Sequence, residues 1–114
     1  MKLDFVNVPE SFQKLITKTI EDFSHKNDFD FDFLVTLSFV TLDEIKKLNL
    51  KHRKIDEPTD VLSFPIWENF DDIPKSTFVN LGDIVIAPDY VKNNPQEIQR
   101  LTEHSMEHLI GIHH

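Results

Sequence analysis

Three histidines near the end of the chain have the residue type and spacing of a metal site. His104 and His108 are four residues apart, and because each helical residue advances by about 100°, both imidazoles would project from one helix face, one turn apart. Gly111 can adopt the left-handed conformation that ends a helix, which lets the chain turn back and makes His114 the candidate third ligand. Three imidazoles without a thiolate suit zinc, and three protein ligands leave a fourth position for water, as in catalytic zinc sites.

The same spacing has a simpler explanation. Histidines four residues apart also occur on solvated helix faces, and two histidines at a chain end can be the remnant of an expression tag. The angular layout of the segment favours the metal site. Four apolar residues fall on one flank of the histidines, namely Ile98, Leu101, Met106 and Leu109, and three charged residues fall on the other, namely Arg100, Glu103 and Glu107. The histidines therefore lie on the seam between core and solvent, where the ligands of a cleft would have to be.

The elements that must position this helix can be read from the hydrophobic pattern. The pattern predicts four strands, at Lys2–Val6, Phe29–Val40, Val61–Ile66 and Leu81–Ala87. It also predicts four helices: one from Pro9 to about His25, one that follows a Thr41/Glu44 capping box, a short one at Pro88–Asn93 and one that begins at Asn94-Pro95. Residues 67–80 read as a surface loop. Interspersed helices and strands predict an α+β fold, an α/β sandwich in which a mixed sheet of about four strands packs with helices. The zinc site would lie at the end of the last helix.

Composition limits the class of protein. The 114 residues are enough for one domain, which we expect to span residues 1–114, and they include no cysteine and carry a formal net charge of −8. No run approaches the roughly 18 apolar residues of a membrane span, so we expect a cytoplasmic protein without a membrane partner. The negative charge argues against nonspecific binding of nucleic acid over the whole surface, and it leaves room for a local basic patch.

Three motifs, in order along the chain, resemble those of one known family. Residues 48–65, LNLKHRKIDEPTDVLSFP, resemble the signature of the YbeY endoribonuclease family. Residues 82–86, GDIVI, resemble a later strand of that family. His104, His108, Gly111 and His114 have its H-x3-H-x2-G-x2-H spacing. The resemblance spans residues 48 to 114, whereas the first 40 residues match only in their order of elements.

The resemblance implies a function. In this family the three histidines bind zinc, here one ion per chain at His104, His108 and His114, and the arginine equivalent to Arg53 is needed for activity. The enzymes cut single-stranded RNA, not DNA, and help to mature and quality-check ribosomal RNA, so the implied partners are single-stranded RNA and the ribosomal RNA or subunit. Relatives generally continue past the third histidine into another helix. We therefore expect either a truncated chain or a compact variant that lacks the usual C-terminal extension.

Four positions near the histidines depart from the family pattern. Ser105 stands where a glycine is usual, Glu107 where an apolar residue is usual, Ile112 where an aromatic is usual and His113 where an aspartate is usual. All three implied ligands are retained.

Arg53 has both a structural and a functional interpretation. It belongs to a run of five cations in nine residues of an acidic chain, the others being Lys46, Lys47, Lys51 and Lys54. Such a cluster alone is more often a solvated helix face. A guanidinium also matches a phosphate through two parallel hydrogen bonds, and the surrounding motif favours this role of a phosphate clamp. Thr59 and Asp60 follow, and we interpret them as structural turn residues rather than as hydrogen-bond partners of a ligand histidine.

Two further hypotheses compete with the endoribonuclease. Glu107 forms an H-x-x-E-H string with its flanking histidines, as in the inverzincin peptidases, where the glutamate acts as a base. The angular layout instead predicts a solvated Glu107 beside Glu103. The other hypothesis is a ribosome-binding adaptor without catalysis, in which His113 supplies a fourth ligand and closes the zinc site.

Overall fold

The computed structural model describes residues 1–74 and 78–112 of the chain. Within these ranges the chain forms four strands and three α-helices. We number them β1 (Lys2–Val6), α1 (Glu10–Lys26), β2 (Phe33–Phe39), α2 (Leu42–Arg53), β3 (Val61–Pro65), β4 (Val79–Ile86) and α3 (Pro95–Leu109). Short 3-10 turns at Phe70–Asp72 and Pro88–Val91 lie on either side of β4.

The strands form one mixed sheet in the order β1-β2-β4-β3. β1, β2 and β4 run parallel to one another, and β3 pairs antiparallel with β4. β3 is therefore an edge strand. This arrangement confirms the predicted α+β fold with a mixed sheet of about four strands.

The two faces of the sheet pack against different helices. Ile84 and Ile86 of β4 belong to the main core, which also contains the buried residues of α1 and α3. Val85 projects from the opposite face, because successive strand side chains alternate, and it packs with Leu62 of β3 and Ile45 of α2 in a second, smaller core. Helices α1 and α3 thus cover one face, and α2 covers the other face beside β3.

Side-chain caps fix where two of the helices begin. The predicted capping box precedes α2: the Glu44 N–H donates to Thr41 Oγ1 at 3.1 Å, and the Thr41 N–H donates to Glu44 Oε1 at 3.3 Å. Asn94 caps α3, since its Oδ1 accepts from the N–H groups of Gln96 and Glu97 at 2.9 and 3.2 Å. Both starts follow the sequence prediction.

The predicted start of the second strand is wrong. The alternation of Phe29, Phe31 and Phe33 predicts a strand from Phe29, whereas β2 begins at Phe33. The pairing of β2 with β1 begins at Leu34 and its pairing with β4 at Phe33. Residues 29–32 therefore precede the paired residues of β2, although the Asp32 carbonyl accepts from the Val79 N–H at 3.0 Å. Phe29 stacks on Phe31 with ring centroids 5.0 Å apart.

β4 begins at Val79, earlier than the predicted Leu81. Its register against β2 shifts between Leu34 and Val35, which pair with Asn80 and Gly82, so Leu81 is the extra residue of a bulge.

In the parts of the chain that the structure describes, no helix is both long and apolar enough to cross a membrane.

Candidate active site

A cleft of about 470 Å³ lies between α3, the edge strand β3 and the end of α2. We call it the histidine cleft. Ten described residues line it: Arg53, Thr59, Asp60, Val61, Leu62, Ser63, Arg100, Leu101, His104 and His108. Arg53 and two of the three predicted metal ligands are therefore on one concave surface, although they come from segments about fifty residues apart in the sequence.

His104 and His108 form a close pair of rings on α3. Their ring centroids are 4.5 Å apart and the ring planes are inclined by 56°. Leu101, Met106 and Leu109 of the same helix are buried, whereas His104 is exposed and His108 is intermediate. The pair thus lies on the predicted seam between core and solvent, and two imidazoles one helical turn apart can bind one metal ion.

The end of α3 has the left-handed glycine that the sequence predicts. Gly111 has φ +82°. Its N–H donates to the His108 carbonyl at 3.1 Å, and the Ile112 N–H donates to the Glu107 carbonyl at 2.8 Å. These two bonds form a Schellman motif, which satisfies the last helical carbonyls and reverses the chain direction just after the histidine pair.

The predicted third ligand, His114, and the neighbouring His113 lie outside the described residues. Among residues 1–74 and 78–112, no group of three or more His, Cys, Asp or Glu side chains is arranged to hold a metal ion. The described part of the chain therefore contributes two imidazole side chains, those of His104 and His108, to the histidine cleft.

Arg53 is the last residue of α2, and its position depends on how that helix ends. Lys54 follows in the left-handed conformation, with φ 63°. Asn49 ties the helix to the next segment, because its Nδ2 donates to the Glu57 carbonyl at 2.9 Å and its side chain is only 2% exposed. This bond ties the segment after α2 back to the helix at Glu57, and Arg53, Thr59 and Asp60 all line the cleft.

Thr59 and Asp60 make one local hydrogen bond and one bond between strands. Thr59 Oγ1 donates to Asp60 Oδ1 at 3.3 Å, and the Asp60 carbonyl accepts from the Ala87 N–H at 2.9 Å. The second bond joins the start of β3 to the end of β4. These bonds agree with the structural role that we assigned to both residues.

The three charged residues that the helical angles place on one flank of α3 line two different concave surfaces. Arg100, which the sequence analysis groups with Glu103 and Glu107, lines the histidine cleft. Its spacing of four residues before His104 is the signal that could have identified it. Glu107 and Glu103 instead line a groove between α1 and α3, together with Asp22 and Lys26 of α1. We call this the α1–α3 groove.

The sequence analysis also did not identify the residues that β3 contributes to the cleft. Ser63 and Val61 line the cleft from β3, on the face of that strand that packs toward α3, because they pair with Ile84 and Ile86. His52 contacts Phe64 edge-on with ring centroids 4.8 Å apart. It belongs to the structure around α2 and does not line the cleft.

The α+β fold and a cleft lined by two imidazoles and two arginines are typical of a hydrolase that acts on an anionic substrate, and comparison with known proteins identifies the family. A family model described as endoribonuclease YbeY matches residues 2–114. An endoribonuclease YbeY from Thermoanaerobacter sp. (strain X514) is 36% identical and covers 99% of this chain and 79% of the relative. One from Alkaliphilus metalliredigens (strain QYMF) is 34% identical, covering 96% of this chain and 76% of the relative.

A solved structure has a similar fold. The solution structure of a Thermotoga maritima protein has a TM-score of 0.60 and 28% identity, and it covers 97% of this chain and 73% of that one. The chain belongs to the YbeY endoribonuclease family. The resemblance recognised in the sequence is thus confirmed, and the protein is an endoribonuclease.

Proposed function

We propose that this endoribonuclease is zinc-dependent, that it cuts single-stranded RNA during ribosomal RNA maturation and quality control in the cytoplasm, and that Arg53 and a three-histidine zinc site do the chemistry. The observation that carries the proposal is the convergence of Arg53, His104 and His108 on the histidine cleft. The ribosome as partner is inferred from the family, whose members act on RNA.

The donor set fits zinc. His104 and His108 each offer an imidazole nitrogen, a donor type that zinc prefers, and their ring centroids are 4.5 Å apart. The chain contains no cysteine that could make a closed thiolate site. His114 is the proposed third ligand, since Gly111 reverses the chain just before it. A bound zinc ion would supply Lewis acidity toward a water molecule or a phosphoryl oxygen.

Arg53 is proposed to stabilise the negative charge that builds on the scissile phosphate. Its guanidinium stays protonated at any working pH and can donate two parallel hydrogen bonds to phosphate oxygens. The end of α2 and the Asn49–Glu57 hydrogen bond position the Arg53 backbone beside the cleft, and a cation placed where negative charge develops is the basis of electrostatic stabilisation of a transition state.

The charges of the two concave surfaces favour the histidine cleft for an anionic substrate. Its described lining includes two arginines and one carboxylate, Asp60, in a chain with 20 acidic and 12 basic residues. The α1–α3 groove has the opposite balance, with three carboxylates and one lysine. An RNA backbone would therefore be repelled from the groove and attracted to the cleft.

The peptidase alternative gains no support from the geometry. Glu107 lines the α1–α3 groove, so it does not face a substrate bound in the histidine cleft. The adaptor alternative is not supported by the family assignment.

The test combines elemental analysis of the purified protein with a nuclease assay on single-stranded and duplex RNA. We expect zinc to co-purify and to be required for cleavage, with single strands cut and duplexes spared. Cleavage that survives removal of zinc would refute the zinc requirement, and hydrolysis of peptides instead of RNA would refute the reaction class.

A further inference from the structure

Arg100 is a second cation on the histidine cleft, and the chemistry proposed above does not use it. It lies one helical turn before His104 and two turns before His108 on α3. Its side chain is 60% exposed, so a ligand in the cleft can reach it. Arg100 and Arg53 reach the cleft from different elements, α3 and the end of α2.

The geometry directs the Arg100 guanidinium away from the metal ligands. Four helical residues rise by about 6 Å along the axis, and helical side chains lean toward the N-terminus. The Nε–H of Arg100 donates to Glu97 Oε2 at 2.7 Å, and Glu97 lies one turn further from the histidines. This bond therefore holds the guanidinium on the far side of His104 from His108.

The Glu97 bond leaves Arg100 able to bind an anion. A guanidinium has five N–H donors in a planar fork, and the Glu97 bond uses one of them. The fork suits the oxygens of a phosphate better than a lysine ammonium does. Because the guanidinium is displaced from the histidines, the phosphate that it meets is a neighbour of the one being cleaved.

We propose that Arg100 binds a phosphate flanking the scissile one, so that an RNA strand lies along α3 from Arg100 to the histidine pair. This inference rests on the proposed endoribonuclease function. Arg100 acts in substrate binding and register, whereas Arg53 acts on the reacting phosphate. The contact requires a substrate that extends past the cleavage point, so it gives the enzyme a preference for longer strands.

The test compares Arg100→Gln with Lys14→Gln. Lys14 of α1 is 80% exposed and pairs with Glu10 at 3.9 Å, so it matches Arg100 as an exposed, paired cation. It lies on a surface formed by α1 side chains. Both variants lose one positive charge. Zinc-loaded enzymes would be assayed on single-stranded RNA oligonucleotides of increasing length and at several salt concentrations, with thermal melting as the check on folding.

For Arg100→Gln we expect KM to rise about tenfold, the usual size for a lost hydrogen bond to a charged group, with kcat within about twofold of the wild type. The slope of log(kcat/KM) against log[salt] should fall in magnitude by about 0.7, the value for one phosphate contact on a single strand. Arg100→Gln should also lose the gain in kcat/KM that the wild type shows on longer strands. Arg100→Lys should keep most of the salt slope, and Lys14→Gln should match the wild type.

The outcomes separate this inference from the proposed function. If the wild type cuts RNA and Arg100→Gln behaves like Lys14→Gln, the Arg100 subsite is refuted while the proposed function stands. A fall in kcat without a change in KM would also refute it, because Arg100 would then act on the chemistry. If the wild type cuts no RNA, the proposed function fails. Fluorescence anisotropy with a single-stranded 2′-O-methyl oligonucleotide, which reports binding without cleavage, then tests Arg100 by itself.

Discussion

Gly111, at the end of α3, lies directly against the backbone of Asn69 in the segment between β3 and β4. A Cβ atom on Gly111 would lie 2.7 Å from the Asn69 Cα and 2.7 Å from the Glu68 carbonyl oxygen. Two independent constraints therefore require glycine here, the left-handed φ of +82° and this close approach. The packing of Gly111 on residues 68–70 therefore fixes the position of the chain at the end of α3.

Replacing Gly111 by alanine should therefore lower the free energy of unfolding by about 1–3 kcal/mol, the cost of a non-glycine residue in a strained conformation, and the steric conflict adds to it. Zinc affinity should fall as well, because the exit of the chain toward His114 changes. Chemical denaturation and competitive zinc titration measure the two effects. Thr41→Ala is the control, since loss of the α2 cap costs about 1 kcal/mol at a site remote from α3. It should leave zinc affinity unchanged.

A second comparison separates the two constraints on Gly111. Asparagine tolerates the left-handed conformation better than alanine does, but its Cβ meets the same backbone atoms of residues 68–70. Gly111→Asn should therefore remain nearly as unstable as Gly111→Ala. Recovery of wild-type stability in Gly111→Asn would contradict the close approach of Asn69.

Purified protein should carry about one zinc ion per chain, because one set of spaced imidazoles defines one site. His104→Ala or His108→Ala should empty it, since two remaining donors hold zinc poorly. Elemental analysis after extensive dialysis measures the occupancy. His25→Ala, at the end of α1, is the matched control and should keep full occupancy. Full zinc in both cleft variants would disprove the assignment of the site.

Arg53→Ala should keep the zinc content and the melting temperature of the wild type and lower the rate of RNA cleavage by about two orders of magnitude or more. That is the typical cost of removing a positioned electrostatic stabiliser. Glu107→Gln should have a much smaller effect, because Glu107 lines the α1–α3 groove. Single-turnover cleavage of a labelled single strand measures both. The reverse ranking would favour a reaction in which Glu107 is the base.

The sequence predicts the local signals of this fold well and its long-range contacts less well. Thr41, Glu44 and Asn94 mark helix starts because capping is a short-range interaction. The start of β2 was misplaced because partner strands set strand length, and the pairing of β2 begins at Phe33. Local alternation at Phe29 and Phe31 contains no information about those partners.

The same contrast between local signals and long-range contacts applies to the candidate site. The pairing of His104 with His108 follows from helical spacing alone. Helical spacing also places Arg100 beside His104 on α3, but it does not say which other element lies against that side of the helix. Its place on the cleft depends on β3, which is distant in sequence and reaches α3 only through the order of the sheet. The selection of Arg53 as a site residue came from the family resemblance and not from periodicity, and Arg53 lines the same cleft as His104 and His108.

The last prediction concerns which of two adjacent histidines, His113 or His114, is the third zinc ligand. His113 and His114 lie outside the described residues. After the Schellman motif at Gly111 we expect an extended chain, in which successive side chains face opposite ways, so that only one of the two reaches the zinc. We choose His114. Competitive titration should give a loss of zinc affinity of about tenfold or more for His114→Ala only. Loss in His113→Ala instead would mean that the family register is displaced by one residue.

The edge position of β3 has a consequence for self-association. Val61, Leu62 and Ser63 line the cleft, so an additional strand along this side of the sheet would obstruct the entry of a substrate. An uncovered strand edge is also a template on which another copy of the chain can add a strand and begin to aggregate. β3 has only five residues and ends at Pro65, and a short edge strand with a terminal proline offers few hydrogen bonds to such a copy. The brevity of β3 therefore keeps the cleft accessible to RNA while limiting the surface on which aggregation can start.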